Sequence, residues 1–128
     1  MNKTQNERTV PLTIAPYHFV GKKPAAVLFG EERVEVKTWK QVYTVILSRC
    51  NQNPDCHEML MYLRGRAAGK VRQFLSVKPD KMRNPVKIDE DLYGECHYGS
   101  ATLMHILCLR ILTPAGFDYY DIQIVLKV

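Results

Sequence analysis

The sequence predicts an α+β fold, a small and mostly antiparallel sheet with two main helices packed on one face. Three observations predict it. Apolar residues recur at helical spacing in residues 39–50 and again in residues 103–112. Short alternating runs, Val34 and Val36 in one place and Ile122, Ile124, Leu126 and Val128 in another, have the two-residue period of half-buried strands. Strand signals come in groups between the helices rather than alternating with them one for one, which favours antiparallel pairing over βαβ units.

With 128 residues the chain is the size of one domain. The expected division is an N-terminal tail or arm over residues 1–18 and a single α+β domain over residues 19–128. Residues 1–9 are polar and read as a frayed tail. Residues 10–20 hold Pro11 and Pro16 among scattered apolar side chains, as in an extended arm lying on the domain. Residues 25–29 are apolar, Gly30-Glu31-Glu32 is a turn, and Val34 and Val36 follow, which together make a hairpin.

Thr38 opens the first helix. In the capping-box pattern its hydroxyl accepts from the Gln41 amide while Gln41 reaches back to the Thr38 amide. Trp39, Val42, Tyr43, Ile46, Leu47 and Cys50 form the apolar face, with Trp39 expected in the core. Residues 51–54 stop the helix. Asp55 with Glu58 is expected to cap a second short helix that turns Met59, Leu60 and Leu63 inward and ends at Gly65. Residues 70–76 read as a strand with Val71, Gln73 and Leu75 on one side and Arg72, Phe74 and Ser76 on the other. Residues 77–88 read as a proline-punctuated loop and residues 91–97 as another strand. Ser100 is the expected N-cap of a mostly buried helix that stops at Thr113-Pro114, and a last strand follows Gly116.

Composition narrows the function classes. With 46% hydrophobic and 24% charged residues, the chain is too apolar to be disordered. Its longest apolar stretch, residues 103–112, is interrupted by His105 and Arg110 and falls well short of the ~20 residues that cross a bilayer. No apolar leader is seen near the start, so a cytoplasmic location is expected, with Cys50, Cys56, Cys96 and Cys108 as free thiols.

The net charge is +5, unevenly spread. Residues 64–87 hold eight basic side chains, Arg64, Arg66, Lys70, Arg72, Lys78, Lys81, Arg83 and Lys87, against one acid, Asp80. That segment carries +7 and the remainder of the chain −2. Lysine and arginine clustered in this way are the footprint of a phosphate backbone, whose neutralisation releases condensed counterions. Phe74 within the segment could stack on a base. The plainer reading is a solvated face balanced by Asp89, Glu90 and Asp91.

Other constellations carry less. Cys50-x5-Cys56-His57 and Cys96-His97 lack the Cys spacing of two to four residues typical of zinc sites, so no metal is expected. Ser100 near His97 and His105 is the nearest approach to a nucleophile and base, with no third orienting group. Glu35-Val36-Lys37 matches the end of a metal-dependent nuclease motif, but the region before it offers only Glu31 and Glu32 in a turn. Tyr98-Gly99-Ser100 leads into a helix N-terminus, which can hold a phosphate or simply be capped.

Gly21-Lys22-Lys23-Pro24, the hairpin, and Val36-Lys37-Thr38-Trp39-Lys40 opening a helix resemble a small bacterial module. The likeness continues through Gly65-Arg66, Arg72-x-Phe74-x-Ser76, Met82-Arg83-Asn84-Pro85-Val86-Lys87-Ile88, Gly99-Ser100-Ala101 and Gly116-Phe117-Asp118. Similar modules sit at the C-terminal ends of restriction-type and other nuclease-associated proteins of Gram-positive bacteria and mobile elements, and also stand alone. The resemblance covers about residues 19–128 and implies a phage-defence or mobile-element setting, without an activity of its own. The four cysteines lie outside its pattern.

The expectation is a non-enzymatic binding domain that needs no cofactor. Arg64, Arg66, Lys70, Arg72, Lys78, Lys81, Arg83 and Lys87 would contact phosphates of DNA or RNA, with Phe74 stacking and Ser100 contributing at its helix start. Two alternatives stand beside it. One is a protein-interaction module such as a phage-encoded anti-defence inhibitor. The other is a sensor that holds a nucleotide between the basic segment and Ser100. No membrane partner is expected, and the sequence leaves oligomeric state open.

Overall fold

Over residues 6–65 and 73–128, which the computed structural model describes, seven strands form two antiparallel sheets. The α+β class holds, with the strands divided between two sheets instead of gathered in one. The first sheet has the order β1 (Glu7–Pro11), β7 (Ile122–Lys127), β2 (Lys23–Phe29), β3 (Glu32–Glu35). The second has the order β4 (Leu75–Ser76), β6 (Leu92–Glu95), β5 (Pro85–Asp89).

β7 lies between β1 and β2, which explains its composition. Ile122, Ile124 and Leu126 are buried on one face, and Val125 is buried on the other against Ala25 and Ala26. The β2–β3 hairpin turns at Gly30, whose φ of +63° suits glycine. The expected arm is instead part of the sheet. Glu7–Pro11 pairs along its length with β7, and Val10 and Leu12 are buried. Pro11 is tolerated because β1 is an edge strand, where a missing N–H breaks no ladder.

α1 (Trp39–Gln52) starts at Thr38, whose hydroxyl accepts the Gln41 amide at 3.1 Å. The return bond goes one residue further back than expected: Gln41 Oε1 accepts from the Lys37 amide, not that of Thr38. Trp39 packs its ring on Phe19 and donates its indole N–H to the Lys22 carbonyl. α2 (Pro54–Leu63) is capped by Asn53, not by Asp55 and Glu58; Asn53 Oδ1 accepts from the Asp55 and Cys56 amides, and Pro54 takes the first turn, where an N–H has no partner. Leu60 is buried, but Met59 is exposed. α1 touches β2 of one sheet and β5 of the other, so Tyr43, Ile46 and Leu47 sit in a core common to both.

α3 (Ser100–His105) continues into a π-helical stretch, Ile106–Leu112, and a final turn, α4 (Thr113–Ala115), that ends at Gly116 with φ of +77°. Pro114 does not stop the helix. It lacks an N–H, and its ring would press on the carbonyl four residues back in an α-helix. The wider register answers this: the Thr113 amide bonds to the Cys108 carbonyl five residues back, and the Thr113 hydroxyl adds a 2.7 Å bond to the same oxygen. Among the described residues no helix is long and apolar enough to cross a membrane.

Candidate anion-binding surface

The chain between β4 and β5 carries Lys78, Lys81 and Arg83, all exposed. Lys78 and Lys81 line a hollow of about 450 Å³ together with Gln73, Ser76, Asp80 and Met82. Among the described residues none of these three cations is in an ion pair. Asp80 is the one acid on the wall. The loop is shaped by a turn in which the Met82 amide bonds to the Pro79 carbonyl, and by the Lys78 amide on the Ser76 hydroxyl.

Glu95 at the end of β6 holds the far end of this loop. It is 1% exposed, and its carboxylate accepts from the amides of Arg83 and Asn84 at 2.8 Å each and of His97 at 3.2 Å. A buried carboxylate is tolerable because main-chain donors replace its water. Lys40 on α1 donates to Asn84 Oδ1 at 2.6 Å, so helix and sheet both fix the loop's exit. Arg83 is thus anchored at its backbone while its side chain faces solvent.

The other predicted contacts fare differently. Arg66, Lys70 and Arg72 lie outside the described residues. Arg64 is half-buried, and its guanidinium donates to the carbonyls of Met61 and Asp91, which makes it a tie between α2 and the β5–β6 turn. Lys87 pairs with Glu90 at 3.2 Å, which also raises its pKa. The acidic run therefore takes one cation of the basic segment by its side chains. Asp89 turns instead to the Asn51 amide, whose hydrogen bond lowers its pKa.

Phe74 does not stand on the surface as a stacking platform. It is 5% exposed, edge-on to Tyr98, with the Arg110 guanidinium over its ring at 5.3 Å. Of the strand expected over residues 70–76, residues 70–72 lie outside the described residues, Leu75–Ser76 is a strand paired with β6, and a bend at Phe74 turns both Phe74 and Leu75 inward. Ser100 is the first helical residue, with Gly99 in the cap position, and its hydroxyl donates to the Phe19 carbonyl at 3.0 Å. It serves to hold the 3-10 turn Pro16–Phe19 against α3.

All four cysteines are free and buried, and burial pushes the thiols of Cys50, Cys96 and Cys108 up to about 12. Such thiols stay protonated and are poor nucleophiles. No cluster of three or more metal-ligating side chains occurs among the described residues. Glu35 of the nuclease-like triplet is ion-paired to Arg33, and Val36 is buried. Sequence reasoning missed Glu95; the signal was a lone acid inside the apolar strand segment Leu92–Glu95, next to Gly94 and Cys96.

No protein-family model, curated protein or solved structure matches the chain.

Proposed function

We propose that this chain is a non-enzymatic module that binds the phosphate backbone of DNA or RNA through Lys78, Lys81 and Arg83. The observation that carries this reading is the grouping of three exposed cations, free of ion pairs among the described residues, on one loop, with Lys78 and Lys81 on the wall of an open hollow. A cation outside an ion pair keeps its charge available to a ligand, and a backbone anchored by Glu95 limits the ordering cost of binding. Phosphate contacts of this kind carry no base information. Phe74 is removed from the proposed interface by its burial, so a duplex backbone suits the surface better than stacked single strands. The sequence resemblance supports a phage-defence or mobile-element setting.

The test is fluorescence anisotropy with a labelled duplex at low salt. The triple variant Lys78→Ala/Lys81→Ala/Arg83→Ala is expected to lose at least tenfold in affinity with its circular dichroism unchanged. The control Lys22→Ala/Lys37→Ala/Lys127→Ala removes the same charge from exposed positions elsewhere and is expected to lose far less. Equal losses in both would reduce the effect to net charge. Undiminished binding by the first would remove these residues from the interface and turn attention to a protein partner.

A further inference from the structure

Arg83 has a hollow on either side of it along the chain. Met82, just before it, lines the hollow of the cationic loop, and Asn84, just after it, lines another of about 330 Å³. Cys96, His97, Tyr98 and Gly99, from the segment that joins β6 to α3, complete the wall of this second hollow. Among the described residues no carboxylate lines it. Glu95, the acid next to that segment, is buried and holds the amides of Arg83, Asn84 and His97.

Two side chains give the second hollow a basic character. His97 is exposed, and an imidazole offers at least one N–H donor whether or not it is charged. Lys40 reaches the same place from α1, where its ammonium donates to Asn84 Oδ1 at 2.6 Å. Burial pushes the Cys96 thiol up to about 12, and the Lys40 charge works against that rise, so the ammonium acts on a second residue of the wall as well. A neutral amide takes one of the three ammonium N–H groups and none of its charge. Among the described residues neither Lys40 nor His97 is in an ion pair.

These groups are held in place before any ligand arrives. Through the three amides on its carboxylate, Glu95 sets the backbone on both sides of the second hollow. Fixed donors lose little freedom on binding. Met82 and Asn84 are two residues apart, so their Cα atoms are separated by at most about 7 Å, the scale of neighbouring phosphates on one strand.

On the backbone-binding reading above, on which this rests, we infer that the second hollow is a further phosphate subsite, where Lys40 and His97 take the phosphate next along the strand from the one at Arg83. The contact is made by side chains of two separate segments around Asn84. The interface then runs as one track from Lys78 and Lys81 across Arg83 to Lys40 and His97.

The test is duplex anisotropy over a range of salt concentrations with the full chain. In Lys40→Gln/His97→Gln, affinity at low salt should fall roughly three- to tenfold, and the slope of log K against log salt concentration should become shallower by about 0.9, one phosphate contact. Lys40→Arg, which keeps the charge, should retain the wild-type slope. Circular dichroism unchanged in each variant would show that the fold is kept. An unchanged affinity and slope in the double variant, while the Lys78/Lys81/Arg83 triple variant loses binding, would overturn the second subsite and leave the loop reading standing. Weaker binding with an unchanged slope would make Lys40 a support for Asn84 and also overturn it. No duplex binding by the wild type would overturn both readings.

Discussion

Replacing Glu95 by Gln keeps the side chain's shape and removes one acceptor oxygen. In the native protein Oε1 accepts from the Arg83 amide and Oε2 from the amides of Asn84 and His97. A glutamine must present its NH2 to at least one of these donors, which leaves a buried N–H facing another donor. Losing one partner in this way costs about 1–3 kcal/mol, and the remaining bonds lose their charge assistance. The expected total is about 3 kcal/mol, a large part of a stability of roughly 5–15 kcal/mol. With a urea slope of about 1.5 kcal/mol/M, the unfolding midpoint should fall by about 2 M. Hydrogen exchange should also speed up selectively at the Arg83 and Asn84 amides. A midpoint within about 0.3 M of wild type would refute the claim that this carboxylate fixes the cationic loop.

Three further outcomes follow from the same packing. Gly94→Ala would place a methyl against the buried Tyr43 ring, 2.8 Å from Cε1 and 2.9 Å from Cζ, in a strand paired on both sides; a loss of about 2–3 kcal/mol in urea unfolding is expected, and Tyr43→Phe should recover part of it by removing the nearest oxygen. Asn53→Ala should cost about 1 kcal/mol, since its side chain satisfies two amides at the start of α2. Stability should fall at alkaline pH. The folded pKa values of Cys50, Cys96 and Cys108 are raised to about 12 by burial from an ordinary 9.0, so the native state keeps protons that the unfolded state gives up. Their stabilisation is complete below pH 9 and is lost toward pH 12, at about 1.4 kcal/mol per pH unit for each thiol. Tyr43, raised by burial, adds to the same slope above pH 10. Urea midpoints at pH 8, 9 and 10 check this, and Cys108→Ala should flatten the decline.

Local signals made much of the fold legible. The Thr38 cap, the spacing of Val42, Tyr43, Ile46 and Leu47, and the turn at Gly30 each act within a few residues, and each appears as read. What escaped was set by distant partners. β1 looks like a loose arm until β7 lies beside it, because an edge strand needs only one apolar face. Phe74 shares its expected strand face with Arg72 and Ser76, yet a single bend sends it under Arg110 and Tyr98. Glu95 reads as a surface charge because the Arg83 and Asn84 groups that it holds are main-chain amides, which no side-chain pattern reveals. The candidate surface was legible as a charge total. Lys87 pairs with an acid three residues away and Arg64 with carbonyls, and those are properties of the fold.

The most direct test of the phosphate-binding claim is the salt dependence of duplex binding for wild type and for the Lys78/Lys81/Arg83 triple alanine variant. Three phosphate contacts contribute a slope of about −2.7 to log K against log salt concentration. The wild-type slope should be at least that steep, and the variant's shallower by about that amount. Equal slopes in the two proteins, or binding indifferent to salt, would contradict it.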